Sequence, residues 1–186
     1  SFLPKEQREP LEKDVEDMNL LLNEFLDFTK LENQTDVPTE DTNPSILVNE
    51  LIENFQRANI EIKSVGEIGN NLFKLKPFAI KRALENLINN ANRYGEMILI
   101  EKKIENTFLV LSVHDDGPGI DETQYDEVLQ PFTRLDSSRN QNKGSGVGLG
   151  LPIAKEIAEG QGGTLTLSKS DILSGLCASL IIPVNL

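Results

Sequence analysis

The chain has 186 residues, with 18 Lys+Arg against 30 Asp+Glu and a formal net charge of −12 at pH 7, enough for one solid domain plus an appendage. Such an acidic surface repels nucleic acid and anionic lipid, which excludes both as expected partners, and any nucleotide site must carry its own positive charge from a metal, a few Arg or Lys, or a helix N-terminus. No apolar run approaches the roughly 20 residues needed to cross a bilayer and no signal-peptide pattern occurs, so the chain is expected to be soluble as given.

Residues Pro10 to about Glu32 read as one long helix. Leu11, Val15, Met18, Leu22 and Phe25 recur at alternating steps of four and three, a heptad seam broadened by Leu21, Leu26 and Phe28. The polar stretch Asn33 to Asn43 reads as a linker, so the seam is expected to pair with other helices in a bundle. The boundary is set at residue 34, with residues 35–186 as the second unit.

Asn43-Pro44 caps and opens a helix to about Arg57. Ile60, Ile62 and Ser64 alternate with charged residues as a strand does, and Leu72 and Lys74 mark another. Pro77 opens a helix through Ala83, Leu84, Leu87, Ile88 and Ala91. Met97–Lys103 and Thr107–His114 read as a strand pair joined by Glu105-Asn106. A loop-rich stretch runs from Asp115 to Ser145. Within it, Pro131–Gly146 is long, polar and nearly free of large apolar residues, as mobile lids are. A helix from about Gly148 to Glu159 precedes two strands, Thr164–Ser168 and Leu176–Ile182. The only cysteine, Cys177, lies in the last apolar run and is expected to be a small core residue rather than a reactive thiol. The expected class is α+β: a two-layer α/β sandwich with helices on one face of a mixed sheet, preceded by one long amphipathic helix.

Three patches suggest chemistry. Asn86 and Asn90 are four apart and share a helix face. Amide oxygens are neutral hard ligands, suited to Mg²⁺ that keeps several waters and takes phosphate oxygens. Arg93 and Tyr94 at the helix end suit a phosphate and a base, or equally a cation on the helix dipole and a packed aromatic. Asp115-Asp116-Gly117-Pro118-Gly119 follows a strand. Its first carboxylate can accept from the amino group of adenine while Gly117 and Gly119 let the backbone approach; an ordinary turn has the same composition. Gly144-Ser-Gly146-Val147-Gly148-Leu149-Gly150 lacks both the P-loop ending and the dinucleotide-binding spacing. It remains a glycine run that opens a helix and presents free N–H groups to an anion, with Arg134, Arg139 and Lys143 upstream as local cations.

In this order the patches resemble the N box, first glycine box and second glycine box of the sensor histidine kinases, which are Bergerat-fold ATPases. Pro131-Phe132 resembles the intervening F box. Leu84-Glu-Asn-Leu-Ile-Asn-Asn-Ala-Asn-Arg-Tyr94 and Gln130-Pro-Phe-Thr-Arg-Leu-Asp-Ser-Ser-Arg139 look most like the osmosensing EnvZ-type members. The N-terminal helix resembles the second helix of that family's dimerisation and phosphotransfer hairpin.

The resemblance implies ATP and Mg²⁺ as cofactors, with Asn90 holding the metal and Asn86 beside it. It implies that Asp115 reads the adenine amino group, that Gly117 and Gly119 line the base, and that Tyr94 and Ile120 contact the adenine or close its pocket. Gly146, Gly148, Leu149 and Gly150 would carry the phosphates, and Phe132 belongs to the lid. Val147 departs from a common Thr, which removes one hydroxyl. The implied partners are a second copy through the hairpin and a response regulator, and the implied place is the cytoplasmic portion of an inner-membrane sensor.

One departure is larger. The family's phosphoacceptor is a His on the first hairpin helix, and the single histidine here, His114, ends a strand. The His-bearing helix is therefore expected to lie outside this chain, which would not phosphorylate itself. Hydrolytic members of the fold place a Glu where this chain has Asn86, and an amide cannot take a proton from water at neutral pH. The γ-phosphoryl is then reserved for an external imidazole. A nucleotide-free dimeric scaffold, or a protein-serine kinase of the same fold, are the alternative readings.

Overall fold

The computed structural model describes residues 38–135 and 148–184, together with Leu11, Val15, Met18 and Leu22. Arg139, Lys143, Gly144, Gly146 and Val147, most of the expected N-terminal helix and most of the expected lid lie outside the described residues. The four described seam residues are helical, and all are at least half exposed.

Helix α1 (Pro44–Arg57) starts where the sequence places it. The Asn43 side chain accepts the N–H groups of Ser45 (2.9 Å) and Ile46 (3.2 Å), and Pro44 needs no partner in the first turn. Leu47, Val48, Leu51 and Ile52 make its buried face. Helix α2 (Pro77–Tyr94) also opens on proline, and buries Ile80, Ala83, Leu84, Leu87, Ile88 and Ala91 at helical spacing.

Seven strands accompany them: β1 (Glu40–Thr42), β2 (Ile62–Val65), β3 (Phe73–Leu75), β4 (Ile98–Glu105), β5 (Phe108–Asp115), β6 (Thr164–Lys169) and β7 (Leu176–Pro183). Five form one mixed sheet in the order β2-β4-β5-β7-β6. Strand β2 runs parallel to β4, and the remaining pairs are antiparallel. The β4–β5 hairpin turns at Asn106, whose φ of 54° suits a tight turn. Strands β1 and β3 form a separate antiparallel pair, Thr42 opposite Phe73.

Helix α2 lies against β4, β5 and β7, with α1 on one side and α4 (Gly150–Glu159) on the other. Ile98 and Ile100 of β4, Leu109, Leu111 and Val113 of β5, and Ala178, Leu180 and Ile182 of β7 face them in one core cluster. Each fully buried aliphatic side chain contributes about 1.5–3 kcal/mol by leaving water. The two-layer α+β arrangement, with helices on one sheet face, is the one expected.

Three local expectations are corrected. The presumed linker contains β1, a short strand held by pairing with distant β3. In β3 the buried residues are Phe73 and Leu75, whereas Leu72 is 60% exposed, so the alternation is offset by one. The stretch after Asp115 contains a 3₁₀ turn (Glu122–Gln124) and a one-turn helix, α3 (Tyr125–Val128), started by Asp121 accepting the Thr123 N–H at 2.9 Å. Cys177 is buried among the core hydrophobics, as expected, on the sheet face away from the helices.

Candidate functional site

Asp115 ends β5 and, by alternation with Leu109, Leu111 and Val113, faces the helix layer. It is 4% exposed. Two backbone N–H groups donate to the same carboxylate oxygen, Oδ1: Gly117 at 2.9 Å and Leu176 at 3.1 Å. The other oxygen, Oδ2, is left to accept from a ligand. Burial pushes this carboxyl above its ordinary range, the two N–H groups offset part of that rise, and the Asp116 charge adds to it. If Asp115 accepts from an adenine amino group, it does so best when ionised, so affinity resting on it would be full above the raised pKa and fall as pH drops through it.

Gly175 presses on this residue from the β6–β7 loop. Its N–H donates to the Asp115 carbonyl at 3.1 Å, and a Cβ at Gly175 would run into the Asp115 carboxylate and the Gly117 nitrogen. Gly117 is equally confined: a Cβ there would lie 2.8 Å from the Tyr94 carbonyl oxygen. Its bareness thus seats the Asp-Gly segment on the end of α2, a role separate from approach to a base.

Asp116 makes the matching contact. Its Oδ1 accepts the N–H groups of Glu96 (2.7 Å) and Met97 (2.9 Å), just past the helix end. The end of α2 and the end of β5 are thereby fixed to one another. Replacing Asp116 by Ala is expected to lower unfolding free energy by about 1–3 kcal/mol, since two N–H groups lose a charged acceptor. Urea unfolding checks it, and an unchanged midpoint would remove this anchoring role.

On α2, Asn86 and Asn90 are half-buried and share a face, whereas Asn89 and Asn92 are exposed. The Asn86 Nδ2 donates back to the Arg82 carbonyl at 2.9 Å, which orients Oδ1 outward. That oxygen meets the start of α4: a Cβ on Gly150 would lie 3.5 Å from it. Helix α4 has no side-chain cap and no acidic residue in its first turn. The Gly150 and Leu151 N–H groups therefore lack intrahelical acceptors and suit an anion.

The remaining expected residues take varied places. Leu149 is fully buried, so only its main chain is available to a phosphate. Ile120 packs against the core. Arg93 stands half-buried in the last turn of α2, and Tyr94 is 42% exposed. Gly119 has φ 71° and sits near the Gly175 backbone. Arg134 is exposed.

Phe132 and Gly148 flank the undescribed segment and are bonded across it, with the Phe132 N–H donating to the Gly148 carbonyl at 3.1 Å. Both have left-handed backbones, φ 66° and 79°. At Gly148 a side chain is doubly refused, because a Cβ would stand 2.5 Å from the Thr133 carbonyl. Phe132 is 55% exposed. The Phe segment thus docks on the mouth of the glycine-led helix.

The contacts place two groups of expected residues along α2: Asp115 and Gly117 at its Tyr94 end, and Asn86 beside the start of α4. Gly175 and the Leu176 N–H were not anticipated from sequence. Ser-Gly before a strand reads as an ordinary turn, and only strand pairing brings it onto Asp115.

Residues 76–186 match the family model described as histidine kinase-, DNA gyrase B-, and HSP90-like ATPase. The sensor histidine kinase GtrS of Pseudomonas aeruginosa is 32% identical over 178 residues, 95% of this chain and 35% of GtrS. The sensor protein RstB of Escherichia coli K12 is 28% identical over 177 residues, 89% of this chain and 39% of RstB. Among solved structures, the histidine kinase domain of the E. coli osmosensor EnvZ is 34% identical, with a TM-score of 0.61 over 81% of this chain and 92% of that domain. The chain thus spans under two fifths of the length of these two curated relatives.

Proposed function

This chain belongs to the histidine kinase-, DNA gyrase B-, and HSP90-like ATPase family, and from that we propose that it is the ATP-binding catalytic portion of a two-component sensor histidine kinase. In the complete protein it would pass the γ-phosphoryl of MgATP to a His, and then to an Asp of a response regulator. The observations that carry this reading are the Asp115 carboxylate held by two N–H groups on one oxygen, and the Asn86 amide oxygen set against the uncapped start of α4.

Within the pocket, Asp115 would select adenine by accepting its amino group. The N–H groups of Gly150 and Leu151 would hold phosphate oxygens. A magnesium ion would be held by the Asn90 and Asn86 amide oxygens and supply charge neutralisation at the phosphates. The donor set fits such an ion. Among the described residues no group of three or more His, Cys, Asp or Glu could hold a metal, whereas Mg²⁺ needs only one or two protein oxygens when phosphates complete its shell. Replacing Asn90 by Ala is expected to make ATP affinity independent of magnesium in calorimetry. A variant with normal metal response would remove Asn90 from the metal shell.

No carboxylate stands at position 86 to activate water, so the chain suits transfer to an external nucleophile rather than fast hydrolysis. His114 is not that nucleophile: it is 5% exposed and bonded within the sheet. The acceptor imidazole must come from another segment or another chain. Dimerisation through a helical hairpin, and a place as the cytoplasmic part of a membrane sensor, belong to the same proposal. The exposed seam Leu11, Val15, Met18 and Leu22 supports the former. Among the described residues no helix is long and apolar enough to cross a membrane.

The test is in two steps. Millimolar MgATP should raise the thermal midpoint by preferential binding to the folded chain; no shift would favour the nucleotide-free scaffold. A His-bearing helix supplied in trans should then acquire acid-labile phosphate. Acid-stable phosphate would identify a serine kinase instead.

A further inference from the structure

The sheet face turned away from the nucleotide pocket carries a polar cluster. Strands β5 and β7 pair His114 with Cys177 and Ser112 with Ser179. The Cys177 Sγ lies 3.7 Å from His114 Nε2 and 3.5 Å from Ser179 Oγ. Ser179 Oγ is 2.7 Å from Ser112 Oγ. The other ring nitrogen, His114 Nδ1, is 3.0 Å from Ser170 Oγ. Glu101 Oε2, from β4, stands 4.0 Å from Nε2, and Lys103 stands 3.7 Å beyond that carboxylate. His114, Cys177 and Ser170 are 5%, 6% and 2% exposed.

Structural buried thiols are inert, whereas a neighbouring protonated imidazole lowers a thiol's pKa and favours the nucleophilic thiolate. Here the imidazole is oriented from its far side by Ser170 and faces the sulfur and Glu101 with Nε2. The proton can sit on Nε2 with negative charge on sulfur, and the surrounding hydroxyls can donate to that charge.

We propose that Cys177 and His114 form a thiolate–imidazolium pair that is a modification site for small hydroperoxides, and that its oxidation loosens the adenine end of the pocket. The direction of titration agrees. Burial alone would push the thiol up, but His114 and the Ser179 and Ser168 hydroxyls outweigh it and hold the thiol below its ordinary range. The Cys177 bond raises the imidazole against the opposing effect of burial, with Glu101 helping.

The step balances without a further reactant. The thiolate attacks one peroxide oxygen, an S–O bond forms and the O–O bond breaks. The departing hydroxide takes the Nε2 proton and leaves as water. Sulfur becomes a sulfenic acid, oxidised by two electrons, the peroxide is reduced by two, and the imidazole is left neutral. Near-complete burial restricts the oxidant to something of this size.

The pair is one residue away from the pocket on each strand. His114 precedes Asp115, and Cys177 follows Leu176, whose N–H holds Asp115 Oδ1. An oxygen added to Sγ needs room between His114 and Ser179. Strand β7 moving away from β5 to give it would lengthen the Leu176–Asp115 bond.

Because the chain has one cysteine, an intact-mass measurement reads the site directly. The full chain is treated with hydrogen peroxide in the presence of dimedone, which traps sulfenic acid. The expected result is one adduct, formed at pH 7 about tenfold faster than in His114→Gln and faster than in the urea-unfolded chain. In the native chain the rate should stay level to a pH below the ordinary thiol range. That profile needs no variant, so it decides the matter even if His114→Gln does not fold. A native rate no faster than the unfolded one, or one that falls with pH like a free thiol, would overturn the site. The second arm rests on the adenine role of Asp115. ATP affinity of the peroxide-treated chain should fall several-fold and that of treated Cys177→Ser should not change. Oxidation with unaltered affinity would overturn the coupling alone. A reduced chain that never bound ATP would instead refute the nucleotide reading.

Discussion

Replacing Asp115 by Asn is expected to raise the ATP dissociation constant about a hundredfold, or about 2–3 kcal/mol. The substitution keeps shape and volume, so the effect comes from donors and acceptors. Gly117 and Leu176 both donate to Oδ1. In the variant the amide oxygen must occupy that position, which turns the amide NH₂ toward the adenine amino group, donor against donor. If the amide flips to suit the ligand, its NH₂ faces two backbone N–H groups instead. No orientation satisfies both sides, so the loss exceeds that of a charge alone. Calorimetry with ATP checks it, and an affinity within twofold of wild type would remove the adenine-reading role. The folded apoprotein should meanwhile gain stability above the carboxylate range. Burial raises the native pKa of Asp115, so the native carboxyl weakens the fold as pH rises through that value, and an uncharged Asn escapes this.

Replacing Gly175 by Ala should cost both stability and binding. The added methyl has no free direction, because its nearest neighbours are the Asp115 carboxylate, the Asp115 carbonyl and the Gly117 nitrogen. Overpacking of this kind costs about 1–3 kcal/mol. Relief requires the β6–β7 loop to lift. Lifting breaks the Gly175 N–H bond to the Asp115 carbonyl and weakens the Leu176 bond to Oδ1. The expected result is a lower urea midpoint together with weaker ATP affinity. A control at Gly162, a positive-φ glycine (φ 73°) with only the Pro183 side chain near its Cβ at 3.7 Å, should lower stability through backbone strain and leave affinity intact. Equal affinity in Gly175→Ala and wild type would show that the loop does not support the adenine end.

Elements with their own local signals were readable in advance. The Asn43-Pro44 and Pro77 starts, the apolar spacing of α2, and the β4–β5 hairpin about Asn106 depend on interactions within a few residues of chain. Strand β1 was hidden because three residues, Glu40–Thr42, become a strand only by pairing with β3. Leu72 misled because hydrophobicity is shared by exposed and buried faces, and one residue of register separates them. The Asp121-capped turn was hidden inside a run of polar residues that reads as loop.

Residue type and spacing marked Asn86, Asn90, Asp115 and the glycine run before α4 as candidates for nucleotide chemistry, since an amide oxygen, a lone carboxylate and a bare helix start suit a metal-bound polyphosphate, an amino group and an anion. The folded chain alone decided how they are held. It assigned Gly117 to seating on Tyr94, turned Asp116 into an anchor for the end of α2, and brought Gly175 and the Leu176 N–H onto Asp115. It also placed Cys177, buried as expected, beside His114 on the sheet face away from the helices. The contacts of Gly175, the Leu176 N–H and Cys177 depend on β5 pairing with β7, two strands separated in the chain by the whole lid and α4. A ladder between distant segments leaves no mark on either segment's local pattern, because its register is set by the shared core and not by neighbours in sequence.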